Sequence, residues 1–139
     1  MIAALALALT APADPAPPLG ALPRQELPAI GCAAYLWTIG PGPVLVAMAR
    51  ADQPILRVVI EGAVADLLRT AHGDTAALGF ARSADYTRGD VTVTLDLTVQ
   101  LQPDLKDGAR VPTATLTIAR KGQDVVVMPV AGLIGCAPA

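Results

Sequence analysis

Between Asp90 and Gln102 the side chains alternate without a break, with Val91, Val93, Leu95, Leu97, Val99 and Leu101 set against Thr92, Thr94, Asp96, Thr98, Gln100 and Gln102. A strand points successive side chains to opposite faces, so this period of two predicts a half-buried antiparallel strand. Pro103 to Arg110 interrupts the pattern, with Asp107-Gly108 as the turn pair. Alternation resumes over 113–119, where Ala114, Leu116 and Ile118 oppose Thr113, Thr115 and Thr117. Lys121-Gly122-Gln123-Asp124 reads as a tight turn, and Val125 to Val130 as a further β-branched run. Three consecutive strands ending at Cys136 follow.

The first half alternates less cleanly. Cys32 to Ile39 and Val44 to Ala49 are short apolar runs separated by Gly40-Pro41-Gly42-Pro43, which suits a turn between two strands and excludes one continuous helix. Ile55 to Ala71 supports two readings. Leu56, Val59, Ile60, Ala63, Val64, Leu67, Leu68 and Ala71 recur at helical spacing, whereas Val58-Val59-Ile60 is β-branched and Glu61-Gly62 can turn a hairpin. A glycine inside a helix costs about 1 kcal/mol, which favours the hairpin. Gly79-Phe80-Ala81 and Ser83 to Arg88 read as a short arm and strand, turned by Gly89-Asp90 into the long strand. The fold expected is mainly β: a compact antiparallel barrel or sandwich of about seven to eight strands, with one short helix inside 55–71 as the alternative.

Composition narrows the setting. The chain has 139 residues, enough for one core, and its four aromatic rings leave that core to Val, Leu, Ile and Ala. Ten basic and twelve acidic residues are scattered singly, with no basic stripe to neutralise phosphates, so nucleic acid is not an expected partner. Residues 1–13, MIAALALALTAPA, read as a signal peptide with small residues before the cut, although no Lys or Arg precedes the apolar run. That run is too short to span a bilayer, so no transmembrane anchor is expected. Residues 14–28 form a proline-rich leader, expected to be extended and poorly packed, before a single domain over 29–139. The location expected is periplasmic or secreted. In an oxidising compartment the only two cysteines, Cys32 and Cys136, are expected to pair with each other and close that domain. A disulfide-linked dimer, or two reduced thiols if the leader is no signal, are the alternatives.

Catalytic patterns are sparse. His72 is the only histidine and Ser83 the only serine. With Asp66, Asp74 or Asp85 they hold the residue types of a triad, but Ser83 lacks the Gly-x-Ser-x-Gly elbow. Glu26 and Glu61 are distant in sequence, Asp104 and Asp107 flank a turn, and Asp85 and Asp90 bracket Tyr86-Thr87-Arg88-Gly89 as turn formers rather than as an acid–base pair. Asp104 to Gly108 has too few oxygen ligands for a calcium loop, and two cysteines with one histidine fall short of a zinc site. No glycine-rich phosphate loop joins a strand to a helix. No cofactor and no catalytic residue are expected.

Binding candidates are firmer. Tyr35 and Trp37 share one face of a strand, either filling the core or presenting two large rings to a partner. Tyr86 and Arg88 share another, and with Asp85 they are the candidates for a polar recognition loop. The layout from Leu56 to Asp96 resembles that of the small periplasmic inhibitors of lysozyme of the membrane-bound or C-type class, through Ile60-Glu61-Gly62, Leu67 and Ser83-Ala84-Asp85-Tyr86-Thr87-Arg88-Gly89-Asp90. The resemblance implies a disulfide-bearing β-barrel with a tyrosine-serine loop inserted toward a lysozyme site. Ala84 and Thr87 stand where that family tends to show glycine and serine, and its later Lys-Gly element is not matched in place. The function expected is a non-enzymatic envelope domain that binds another envelope or extracellular protein. An accessory domain that contributes only assembly is the second reading; a carrier of a small apolar ligand, in a cavity lined by Val93, Leu95 and Trp37, and a Ser-His-Asp hydrolase are the further alternatives.

Overall fold

Glu61 and Gly62 adopt φ of 52° and 79°, the pair of positive values that a type I′ hairpin turn requires, in the computed structural model describing residues 18–138. The turn resolves 55–71 as a hairpin. The strands are β1 (Cys32–Thr38), β2 (Leu45–Arg50), β3 (Ile55–Ile60), β4 (Ala63–His72), β5 (Thr75–Ala77), β6 (Phe80–Ala81), β7 (Ser83–Arg88), β8 (Val91–Leu97), β9 (Gly108–Arg120) and β10 (Val126–Cys136). No helix is present among the described residues. The expected signal segment 1–13 and the first residues of the leader lie outside the described residues.

Eight strands close an antiparallel barrel in the order β1-β10-β9-β8-β7-β4-β3-β2, and the β5–β6 hairpin is an excursion between β4 and β7. Each strand thus pairs with its sequence neighbour, and closure comes from β1 on β10, with Cys32 opposite Cys136 in register. Those two cysteines are disulfide-bonded. Among the described residues no helix is long and apolar enough to cross a membrane.

Alternation sorts the side chains. Leu36, Leu56, Val58, Leu67, Val93, Leu95, Leu116 and Val130 are fully buried in the interior cluster, beside the smaller Ala34, Ala47 and Ala49. Burying a Leu or Val side chain contributes about 1.5–3 kcal/mol, so this aliphatic filling is the main driving force for closure. Phe80, carried in by the β5–β6 excursion, is 4% exposed and plugs the end of the barrel that holds the disulfide. At the other end Arg120 Nη2 reaches across to Glu61 Oε1 at 2.7 Å.

The leader departs from expectation. Leu19 and Leu22 are 2% and 6% exposed, so residues 18–28 form a strap that is packed at these two leucines and largely exposed from Pro23 to Leu27. The β2–β3 ladder has only three registered pairs, from Ala47↔Val58 to Ala49↔Leu56, although both strands run further. Where they part, Gly20 N donates to Val59 O at 2.9 Å and Leu22 N to Leu45 O at 2.7 Å. Leu19 joins the interior cluster, and Leu22 an outer one with Ala33, Tyr35, Met48 and Val59. The outer faces of β1 and β2 are apolar, with Ala33, Tyr35, Trp37, Leu45 and Met48, and need that cover.

Candidate functional site

The five residues singled out for binding lie apart. Tyr35 is on the outer face of β1 under the strap, 8% exposed, and its hydroxyl donates to Glu26 O at 2.9 Å. Trp37 follows two residues on, half-buried at the margin of the outer cluster. The pair shares a face, as its spacing predicts, but that face is outside the barrel, and Leu36 takes the interior position between them. β1 is apolar on both sides, with Ala34 and Leu36 inward and Tyr35 and Trp37 outward, where the outer cluster of Leu22 and Met48 covers the rings. Trp37 therefore shares no cavity with the interior Val93 and Leu95.

Tyr86 points into the barrel at 3% exposure, Asp85 points outward and accepts from Thr94 Oγ1 at 2.6 Å, and Arg88 is exposed at the end of β7 near Asp66 O. They form no recognition loop, because 83–88 is a paired strand rather than a free loop. The tyrosine-serine loop implied by the likeness to lysozyme inhibitors is correspondingly replaced here by β7. Burial pushes the Tyr86 phenol above its usual value, as it does that of Tyr35. A phenol raised in the fold stays neutral there while the unfolded chain ionises, so its contribution is complete below about pH 10 and is lost as pH rises through the folded value. Tyr86→Phe is expected to flatten the alkaline limb of a stability–pH profile above about pH 10. Profiles of identical slope for the variant and the parent would contradict the burial argument.

His72, Ser83 and Asp85 line one shallow hollow of about 120 Å³. A nucleophile and its base need hydrogen-bond reach, about 2.6–3.2 Å. His72 Nδ1 instead donates to Gly73 O at 3.1 Å, Asp85 is held by Thr94, and no hydrogen bond joins His72 to Ser83 among the described residues. Nor does any group of three His, Cys, Asp or Glu side chains suited to a metal ion occur among them.

An open groove of about 560 Å³ lies between the strap and the outer faces of β2 and β3. Arg24, Arg50 and Arg57 line it, with Glu26, Leu27 and Met48. Arg57 is fixed by two bonds to Asp66, Nε to Oδ1 at 2.8 Å and Nη2 to Oδ2 at 3.1 Å, while its Nη1 donates to Gln25 Oε1 at 2.9 Å. The Arg57 hydrogen bonds hold the Asp66 carboxyl below its ordinary value. Arg50 is clamped by Asp52 in the same bidentate manner, at 3.2 and 2.8 Å. Arg24 makes no salt bridge among the described residues. Two guanidiniums are thus pre-oriented and Arg24 lies with them, all beside the apolar Leu27 and Met48, with Glu26 the one acidic lining residue.

This convergence was not anticipated from the sequence, although part of it was readable. A two-residue turn at 61–62 sets cross-strand partners, so Arg57 must oppose Asp66. The strap's return over β2, which supplies Arg24 and Gln25, has no such local signal. Comparison of the chain with protein-family models, with curated proteins and with solved structures finds no match.

Proposed function

We propose that this protein is a non-enzymatic binding domain of the cell envelope or extracellular space, and that its groove takes an extended acidic segment of another protein. The observation that carries this reading is the convergence of Arg24, Arg50 and Arg57 beside Leu27, which is 66% exposed, on one open outer groove. Arg50 and Arg57 direct their Nε/Nη2 forks to Asp52 and Asp66, so a partner's carboxylates would be met by Arg24 and by the remaining Nη protons of the fixed pair, while the adjacent apolar wall suits a partner with an alternating acidic and aliphatic face. The barrel interior is filled by its own aliphatic side chains, which favours an outer site over a carried ligand. The disulfide is compatible with an oxidising compartment, in keeping with the apolar start of the chain.

The test is titration of a fluorescent Asp/Glu- and Leu-containing peptide by anisotropy, at low and at physiological salt. Arg24→Gln with Arg50→Gln is expected to weaken binding at least about tenfold, equal to about 1.4 kcal/mol, and added salt to weaken the parent's binding. Arg57 is left in place because it also holds Gln25 and Asp66. No saturation by about 1 mM peptide, or equal affinity for parent and variant, would refute the proposal.

A further inference from the structure

The seat of the strap is a slot with two carbonyl acceptors, and we infer that a second copy of this chain can fill it by exchanging residues 18–26. Just before β2, Val44 O is already taken by Thr38 N, so Leu45 O faces β3. On the other side, the hairpin closes through Ile60 and Ala63, so Val59 O faces β2. Two adjacent strands therefore offer carbonyls into one gap, and the strap's Gly20 and Leu22 satisfy them. Leu19 and Leu22 anchor on either side of the sheet, and Gly20 lies between because a Cβ there would meet Val59 Cγ1 at 3.0 Å. The slot thus reads a short pattern, Leu-Gly-x-Leu, that each copy carries.

Residues 27–31 join this insert to β1. They contain Pro28 and Gly31, and Leu27 and Ile30 are 66% and 71% exposed. Five residues extend to about 17 Å, enough to lead the insert off its own barrel onto a neighbour in contact. Every bond made by the insert would be remade in the neighbour's slot, while the Cys32–Cys136 bond keeps each barrel closed. Two crossing hinges bring the exposed Leu27 and Ile30 of both copies together, a burial the single chain does not have. The arginine groove would then be composite, with Arg24 from one copy and Arg50 and Arg57 from the other. Tethering through a short hinge gives the internal insert an effective concentration of order millimolar, so exchange belongs to concentrated protein and not to dilute solution.

An ideal Cβ on Gly20 lies 3.5 Å from Val59 Cβ, within the range of a disulfide. Full-length Gly20→Cys and Val59→Cys chains, mixed at about 1 mM and oxidised, are expected to give a dimer whose 20–59 bond between copies is identified by peptide mass spectrometry. The double variant in one chain is expected to close its bond internally and to stay monomeric. Absence of the 20–59 bond between copies, with the double variant closing normally, would overturn the inference. A bond forming equally fast when Leu19→Glu accompanies Gly20→Cys would overturn it as well, since it then reports collision rather than seating.

Discussion

Replacing both cysteines, Cys32→Ala with Cys136→Ala, is expected to lower the urea midpoint by on the order of 2 M, through a loss of about 4 kcal/mol at slopes of 1–3 kcal/mol per M. The bond closes a sequence separation of 104 residues, so it restrains nearly the whole of the unfolded chain. Loop-closure entropy for such a length is about 4–5 kcal/mol, a large part of a typical 5–15 kcal/mol stability. The native contribution is smaller, because Cys32 and Cys136 already face each other at the end of the β1–β10 ladder and Ala137 N still bonds Gly31 O beside them. The loss should therefore come from the denatured state, with the native circular dichroism spectrum kept at low denaturant. A midpoint that moves by less than about 0.5 M would mean that the seam between first and last strands holds the barrel unaided.

Much of that barrel was legible, and the departures have physical causes. The run from Val91 forms β8 only as far as Leu97, because beyond it the partner strand diverges: Thr98 N reaches Thr113 O, Gln100 makes an isolated bridge to Arg110, and Leu101 is left 62% exposed. Alternation specifies a face, but only a paired neighbour turns the face into sheet. Conversely β9 starts at Gly108, five residues before the clean pattern, since Ala109 and Val111 face the interior ahead of Pro112. β10 likewise continues through Gly132 and Gly135, where small residues give no apolar signal.

The binding residues were harder to read, because the pattern within β1 and β7 fixes which side chains share a face but not which face is inner. Tyr86 was sorted inward by Ala84 and Leu95 around it, and Tyr35 outward by Leu36. The proline-rich composition of the leader predicts extended, poorly packed backbone. It did not reveal that Leu19 and Leu22, at a spacing of three, each had a place to go once β2 and β3 part. The groove followed from that docking, so its arginines were invisible while the leader was read as a spacer.

Gly132→Ala is expected to be the most damaging single methyl in the protein. A Cβ at 132 would fall on the carbonyl oxygen of Tyr35, with the carbonyl carbon at 2.8 Å and Leu36 Cα at 3.2 Å. All three are backbone atoms of β1, so no rotamer change relieves the overlap. The site sits at the irregularity between Val130 and Gly132, where β10 shifts register against β9 while keeping Leu36↔Gly132 across the closing seam. Relief requires β1 and β10 to separate, which exposes Leu36 and Val130 and breaks ladder bonds, a loss of on the order of 4 kcal/mol or more. Gly122→Ala supplies the control, since that glycine has φ of 76° but nothing within 4 Å of its Cβ position. Strain alone should cost it about 1–2 kcal/mol. Urea unfolding of the two variants separates close approach from backbone conformation, and equal midpoints would refute the steric account. In the cysteine-free background one loss acts on the denatured state and the other on the native seam, so they should add to about 8 kcal/mol, comparable with the 5–15 kcal/mol stability of a typical domain. Gly132→Ala is then expected to leave no closed barrel, read as loss of the near-ultraviolet signal of Tyr35 and Trp37.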